Sequence, residues 1–181
     1  PARVLRVTLP LAAAVLVALR VAAQVPTGMM DALRPDQKDF FALYKELVET
    51  DTTVTNGNCT QAAAQIAARL KAAGFADDQL TLFSVPEHPK EGGIVAVYPG
   101  TSGSLKPILL LAHIDVVAAK REDWVRDPFK LVEENGYYYA RGIADDKMMA
   151  ATWADTLIRF RQAGYKPART VKMALTCGEE T

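Results

Sequence analysis

The feature that most restricts the fold is an apolar run, residues 107–111, that contains no polar side chain. A strand with one face in water alternates apolar and polar residues, whereas a strand covered on both faces does not alternate. We therefore expect this run to be a strand that is buried on both faces. Such a strand requires a layer of helices on each side of its sheet, which is the arrangement of α/β proteins.

Three helices are expected from the spacing of apolar residues and from the residues at their ends. The first begins at residue 36, directly after Pro35, and its apolar positions recur at the i, i+3, i+4, i+7, i+8 spacing. These positions are Phe40, Leu43, Tyr44, Leu47 and Val48. The second is alanine-rich, covers residues 61–73 and ends at Gly74, and the third covers residues 147–161.

Strands are expected where β-branched, aliphatic and aromatic residues cluster between turn residues. Besides the run at 107–111, they cover residues 80–85, 94–98 and 170–177. A hairpin joins residues 130–133 to 137–139 through a Glu-Asn-Gly turn at 134–136. Helices interleaved with mostly apolar strands predict an α/β fold, a three-layer sandwich around a mixed, mainly parallel sheet.

The charge composition argues against a nucleic-acid partner. The chain has 181 residues, with 21 Lys and Arg against 21 Asp and Glu, so its formal net charge is zero. Proteins that bind nucleic acid generally carry a basic surface that neutralises phosphates. We therefore expect no nucleic-acid partner.

The N-terminal residues have the layout of a secretory signal peptide. Arg3 and Arg6 precede an apolar stretch, residues 7–19, and small residues follow before Gln24. The stretch is shorter than the roughly 20 residues of a membrane-spanning helix, and Pro10 interrupts it. We expect residues 1–23 to be a signal peptide, 24–35 a linker and 36–181 a folded domain. The protein would then be exported to the periplasm or secreted, with no stable membrane anchor.

The chain has two cysteines, Cys59 and Cys177. An exported protein can form a disulfide, but spacing alone does not show whether two cysteines meet in the fold. We therefore leave open whether Cys59 and Cys177 form a bridge.

Three clusters of acidic and histidine residues stand at the ends of predicted elements. His113 and Asp115 follow the apolar strand, two residues apart, so the carboxylate can orient the imidazole; a solvated strand end is the alternative. Asp145 precedes a predicted helix, where a carboxylate is also a natural cap, and Asp146 competes for either task.

The third cluster, Glu179 and Glu180, follows the last predicted strand. Adjacent strand residues point to opposite faces, so both carboxylates reach one site only if the chain turns at Gly178; a solvated acidic loop is the alternative. Taken together, the clusters contain the His, Asp and Glu ligands that suit zinc. Zinc would lower the pKa of bound water to about 7, and a glutamate base would accept the proton in a hydrolysis.

Four blocks of this chain resemble one family in order and spacing. They are Leu-Leu-Ala-His-Ile-Asp-Val-Val at 110–117, Trp…Asp-Pro-Phe at 124–129, Asn-Gly-Tyr-Tyr-Tyr-Ala-Arg-Gly-Ile-Ala-Asp-Asp-Lys at 135–147, and Leu-Thr-Cys-Gly-Glu-Glu-Thr at 175–181. The family is the di-zinc metallopeptidases that include glutamate carboxypeptidase, aminoacylase, acetylornithine deacetylase and succinyl-diaminopimelate desuccinylase. The departures, Ala118 and Met148 where the family often has Pro and Gly, concern loop backbone.

The resemblance implies a role for each cluster residue. His113 resembles a ligand of one zinc, Asp145 the carboxylate that bridges two zinc ions, and Glu180 a ligand of the second. Glu179 resembles the general base, and Asp115 the partner that orients His113. Cobalt or manganese could substitute for zinc.

The resemblance also implies an activity, which is hydrolysis of a peptide or an N-acyl amino acid. A non-catalytic module that keeps the fold for binding or assembly is the alternative. The family has further ligands beyond a Glu-Glu pair, so residues 36–181 would be the N-terminal part of the catalytic domain, and this piece alone would be inactive. A homodimer through the family's lid domain is compatible with the resemblance. The second histidine, His88, is expected to lie in a Pro-flanked loop between strands and to be structural or solvated.

Overall fold

The computed structural model describes residues 33–180, which form a helical layer packed on a mixed β-sheet, together with a separate hairpin. The elements follow one another in the order α1 (Pro35–Glu49), α2 (Cys59–Ala72), β1 (Leu80–Val85), β2 (His88–Tyr98), β3 (Ile108–His113), β4 (Val132–Glu134), β5 (Tyr137–Tyr139), α3 (Lys147–Gln162) and β6 (Val171–Thr176). All three predicted helices and every predicted strand are present. Strand β2 begins six residues earlier than its apolar run.

The helices begin and end where their sequences indicate. Pro35 is the first residue of α1, one residue earlier than expected, so it belongs to the helix and not to a linker. The Asn58 side chain caps α2 by accepting a hydrogen bond from the backbone N–H of Gln61 at 2.9 Å. After α2 the chain turns at Gly74 with a φ of 98°, a left-handed conformation that glycine adopts readily.

The four long strands form one sheet in the order β1-β2-β6-β3. Strands β1 and β2 are antiparallel, as are β2 and β6, and β3 runs parallel to β6. The expected mixed sheet is confirmed, but the expectation that it is mainly parallel is wrong for the described strands. Only one of their three pairings is parallel, because β1 and β2 form a hairpin whose second strand pairs directly with β6.

The helices pack against one face of the sheet. Alternate residues of β2 and β6, such as Ile94 and Met173, are fully buried in a core that they share with all three helices. On the other face, Leu109 is 60% exposed and Leu111 is 58% exposed. The expectation that residues 107–111 are buried on both faces is therefore wrong within residues 33–180, which contain two layers and not three.

A disulfide joins Cys59, the first residue of α2, to Cys177, which directly follows β6. The bridge closes a loop across 118 positions of the chain. It settles a pairing that the sequence left open. The sequence could not reveal the pairing because the two cysteines meet only after α2 packs beside the end of β6.

The expected signal peptide, residues 1–23, and most of the expected linker lie outside the described residues. They stay predictions. Within residues 33–180, none of the helices has the length and apolarity needed to cross a bilayer.

Candidate metal centre

Three predicted ligands lie together at one edge of the sheet. His113, Asp145 and Glu180 each offer one ligand atom, and these atoms all lie within 4.8 Å of one another. His113 is the last residue of β3, and Glu180 follows β6, the parallel neighbour of β3. Because parallel neighbours end at the same edge of a sheet, the topology brings these two side chains to one place. The loop before α3 adds Asp145.

The His113 imidazole lies between two sets of acceptors. Its Nε2 is 3.1 Å from Asp145 Oδ1 and 3.9 Å from Glu179 Oε2. Its Nδ1 is 3.2 Å from the backbone oxygen of Asp115 and 3.5 Å from the Oδ1 atom of the same residue. A proton on Nδ1 would be shared with Asp115, which would leave Nε2 free to bind a cation.

Asp115 connects two of the predicted ligands. Its side chain is fully buried, and Oδ2 accepts a hydrogen bond from the backbone N–H of Glu180 at 2.8 Å. Oδ1 has no hydrogen-bond partner in the described part of the chain, and it faces His113 Nδ1. The same carboxylate therefore contacts the imidazole of His113 and fixes the backbone of Glu180. The bond to Glu180 could not be read from the sequence.

The two adjacent glutamates both face the centre because the chain turns before them. Gly178 has a φ of 100°, which L side chains rarely adopt. The turn brings Glu180 within reach of His113 and Asp145, while Glu179, whose side chain is 63% exposed, stays near His113 Nε2. The turn that a shared site requires at Gly178 is present.

The loop before α3 separates the competing aspartates. Asp145 contacts His113, whereas Asp146 stands at the N-cap position of α3 without making a capping hydrogen bond. Gly142 makes the loop possible, because a Cβ there would lie 2.4 Å from Val116 Cγ1 and the φ is 73°. A capping role for Asp145 is not seen.

Burial and nearby charges have opposite effects on the pKa of His113. Burial lowers the pKa of His113, but Asp145 and Asp115 outweigh it, so the net pKa is raised above its ordinary value. Burial also raises the pKa of Asp146. The net shift of the His113 pKa is that of an imidazole in an anionic cluster. Such a cluster is an electrostatically favourable place for a cation.

Lys147 is a structural residue that the sequence did not reveal. Its side chain is fully buried, and Nζ donates a hydrogen bond to the backbone oxygen of Thr50 at 2.7 Å. Burial lowers the pKa of Lys147 to about 8, although the charges of Asp51 and Asp115 oppose the shift. Lysine is usually exposed, and no spacing signal shows that this one turns inward. It fixes the start of α3, two residues after Asp145.

His88 stands apart from the centre. It is the first residue of β2, and not part of a loop, and its ring is 63% exposed with Nδ1 3.5 Å from Glu91. This position agrees with a solvated histidine.

The donor set and its spacing fit a zinc ion. One imidazole nitrogen and two carboxylate oxygens are ligand types that zinc accepts, with bonds of about 2.0–2.2 Å. Donor atoms that lie within 4.8 Å of one another are close enough to form a metal centre after small side-chain adjustments. The ligand roles themselves stay predictions.

The comparison with family models agrees with this geometry. The model of peptidase family M20/M25/M40 matches residues 109–181, the part that contains all five predicted site residues. Residues 109–181 are similar to peptidase family M20/M25/M40 and make up less than half of the chain. The resemblance stated from the motifs is therefore confirmed.

Curated relatives match slightly less than half of this chain. Aminoacylase-1 of Mus musculus is 38% identical over 87 residues, which are 48% of this chain and 21% of the relative. The N-fatty-acyl-amino acid synthase/hydrolase PM20D1 of Mus musculus is 43% identical over 83 residues, 45% of this chain and 16% of the relative. The chain thus spans about a fifth of the length of the curated relatives it matches.

Solved structures of two dipeptidases share the fold of this chain. Human carnosine dipeptidase 1 superposes with a TM-score of 0.64 at 23% identity, covering 80% of this chain and 33% of that one. The di-peptidase Dug1p of Saccharomyces cerevisiae superposes with a TM-score of 0.66 at 23% identity, covering 84% of this chain and 34% of that one. At these identities the likeness establishes the fold alone.

Proposed function

We propose that the protein containing this chain is a metal-dependent hydrolase of short peptides or N-acyl amino acids. The observation that carries the proposal is the convergence of His113, Asp145 and Glu180 from three separate elements. The similarity of residues 109–181 to the M20 family supports the class of reaction, and the names of the chain's relatives, aminoacylase and dipeptidase, support amide substrates. Hydrolysis of an amide is the chemistry that such a centre with a nearby carboxylate base performs.

We infer that zinc is the resident metal and that the complete protein holds two ions. His113 would be a ligand of one ion, Glu180 a ligand of the other and Asp145 a ligand shared by both, with cobalt or manganese as substitutes. When bound, the metal supplies a Lewis acid for the carbonyl oxygen and increases the acidity of water.

Glu179 is the residue placed to move a proton. Its carboxylate is 63% exposed and 3.9 Å from His113 Nε2, so it lies beside the proposed ligands and remains accessible to a substrate. In the proposed reaction Glu179 accepts a proton from the attacking water and then donates it to the nitrogen of the leaving amine. Asp115 is a positioning residue, because it contacts His113 and Glu180 and acts only through them.

Export of the protein is a further part of the proposal, and it rests on the signal-peptide layout of residues 1–23. An oxidising compartment would also favour the Cys59–Cys177 disulfide.

The substitution Glu179→Gln tests the proposal in the full-length protein. It keeps the shape of the side chain but removes the base, so the rate of hydrolysis of N-acetyl amino acids and dipeptides should fall by about a hundred- to ten-thousand-fold. Metal content, measured by atomic emission, should remain unchanged. The control is Glu122→Gln, an exposed glutamate outside the cluster. Full activity in Glu179→Gln, or no hydrolysis by the metal-loaded parent protein, would overturn the proposal.

A further inference from the structure

The Cys59–Cys177 disulfide is close in the chain to two residues of the candidate metal centre. Cys177 is two residues before Glu179 and three before Glu180. Its partner Cys59 is 2% exposed and is the first residue of α2, whose N-terminus is capped by Asn58. The bridge thus ties the turn that presents the two glutamates to a capped helix end.

The turn at 177–180 has further anchors on either side. Before it, the backbone oxygen of Thr176 accepts a hydrogen bond from the N–H of Ile114 at 2.8 Å. At its far end, the N–H of Glu180 donates to Asp115 Oδ2 at 2.8 Å. Between them, Gly178 gives the backbone more conformational freedom than any other residue would. A covalent bond at Cys177 restricts the segment at the residue where this freedom begins.

The disulfide also borders an open groove. The cavity has a volume of about 300 Å³, and both cysteines line it together with Thr52, Val54, His88 and Lys90. Cys177 is partly exposed there, whereas Cys59 is buried. A small thiol or the tip of a protein dithiol can therefore approach the sulfur of Cys177 from this side. Exchange at a disulfide depends on such access.

We propose that the Cys59–Cys177 disulfide positions the Glu179–Glu180 turn and so makes metal binding at the centre depend on the thiol–disulfide state of the protein. This inference rests on the proposed metal centre. Closed, the bridge keeps Glu180 beside His113 and Asp145. When the bridge is opened, the hydrogen bonds at Thr176 and Asp115 still hold the turn, and Gly178 can adopt more conformations.

Opening the bridge requires a dithiol as the reductant. One thiolate of the dithiol attacks the sulfur of Cys177 from the groove, the S–S bond breaks, and Cys59 leaves as a thiolate that takes up a proton. The second thiol of the reductant then displaces Cys177, which also becomes a thiol. The cystine gains two electrons and two protons, and the dithiol is oxidised to its own disulfide.

Cobalt titration of the full-length protein tests the proposal, with the visible absorption of the bound ion as the readout. Protein is reduced with dithiothreitol, freed of reductant by anaerobic desalting and compared with oxidised protein. The double variant Cys59→Ala/Cys177→Ala is titrated in parallel, because alanine cannot bind cobalt. Both should bind cobalt about 10- to 100-fold more weakly than the oxidised protein, as expected when a support of a metal ligand is lost. Reoxidation should restore the affinity of the reduced protein.

Two controls separate positioning from a general loss of stability. Leu70→Ala removes a fully buried side chain of α2 away from the ligands, so it should lower the melting temperature and leave cobalt affinity within twofold. His113→Ala should abolish cobalt binding at the centre. Retained binding in His113→Ala would overturn the metal centre itself. If His113→Ala loses binding but reduced and oxidised protein bind cobalt with equal affinity, only the role of the disulfide is overturned. Global unfolding on reduction would also overturn only that role.

Discussion

At the scale of single residues, Asp115 has the most consequential position in the described chain. It is fully buried, yet its carboxylate serves two ligands, through His113 Nδ1 and through the backbone N–H of Glu180. Burying a carboxylate is costly unless hydrogen bonds or a charge partner compensate. The hydrogen bond from Glu180 and the nearby imidazole provide this compensation. The residue therefore links the end of β3 to the end of β6.

The substitution Asp115→Asn tests this link. The amide can still accept the hydrogen bond from Glu180, but it lacks the negative charge that makes the His113 imidazole a better ligand. We expect cobalt or zinc affinity to fall by about 10- to 100-fold, with the fold retained. Calorimetric titration measures the affinity, and Asp78→Asn, an exposed aspartate, is the control. Unchanged affinity in Asp115→Asn would contradict a positioning role.

The residues of the centre were predictable for a physical reason, and those that support it were not. His113, Asp145 and Glu180 each stand at the end of a strongly patterned element, where side chains converge in α/β folds. Lys147 and Cys177 act through contacts with residues about a hundred positions away, Thr50 and Cys59. Such contacts leave no local pattern in the sequence. The candidate ligands at the ends of elements could therefore be predicted, but the distant residues that hold them in place could not.

At the scale of elements, periodicity predicted every helix and strand because each apolar pattern is long or bounded by turn residues. The errors have specific causes. Strand β2 extends to His88 because β1 pairs with it almost to the turn, with Val85 opposite His88, and pairing holds polar residues extended. The parallel character of the sheet was overestimated because the pattern of one strand does not show which neighbour it will pair with.

Contact between α1 and α3 gives a prediction about acid stability. The side chain of Asp36 in α1 accepts hydrogen bonds from Arg34 at 3.0 Å and from Arg159 of α3 at 2.9 Å. These bonds, first Arg34 and then Arg159, lower the pKa of Asp36 from 3.8 to about 2. A carboxyl group whose pKa is lower in the folded state stabilises the fold at pH values above its pKa in the unfolded state. That stability is lost as the pH falls through its pKa in the folded state.

The substitution Asp36→Asn should therefore destabilise the protein at neutral pH but not in strong acid. The difference in unfolding free energy between parent and variant should be constant above pH 3.8 and shrink as the pH falls towards about 2. Urea denaturation at stepped pH measures it. Asp39→Asn, an exposed aspartate of the same helix, should show no such trend. A difference that does not change with pH would show that the ion pair contributes nothing.

At the scale of the whole molecule, the sheet has one covered and one open face within residues 33–180. The open face presents Leu109, Leu111 and Phe83, which are 60%, 58% and 42% exposed. The apolar run at 107–111 predicted cover on both sides, because side chains of this kind are rarely left in water in such a row. The sequence thus correctly predicted an apolar strand. It could not show which residues provide the cover on each face.

The open face predicts how the 181-residue chain behaves by itself. Apolar side chains on a sheet face, beside β3 at the edge of the sheet, favour association between molecules. The double variant Leu109→Thr/Leu111→Thr should sediment as a smaller species and bind less of an apolar dye than the parent chain. Its unfolding free energy should change little, because both leucines are more than half exposed.

The control is Leu110→Thr, which alters the face that packs on the helices. It should destabilise the chain by about 1–3 kcal/mol without reducing association. Equal sedimentation of the parent and the double variant would mean that this face does not drive association.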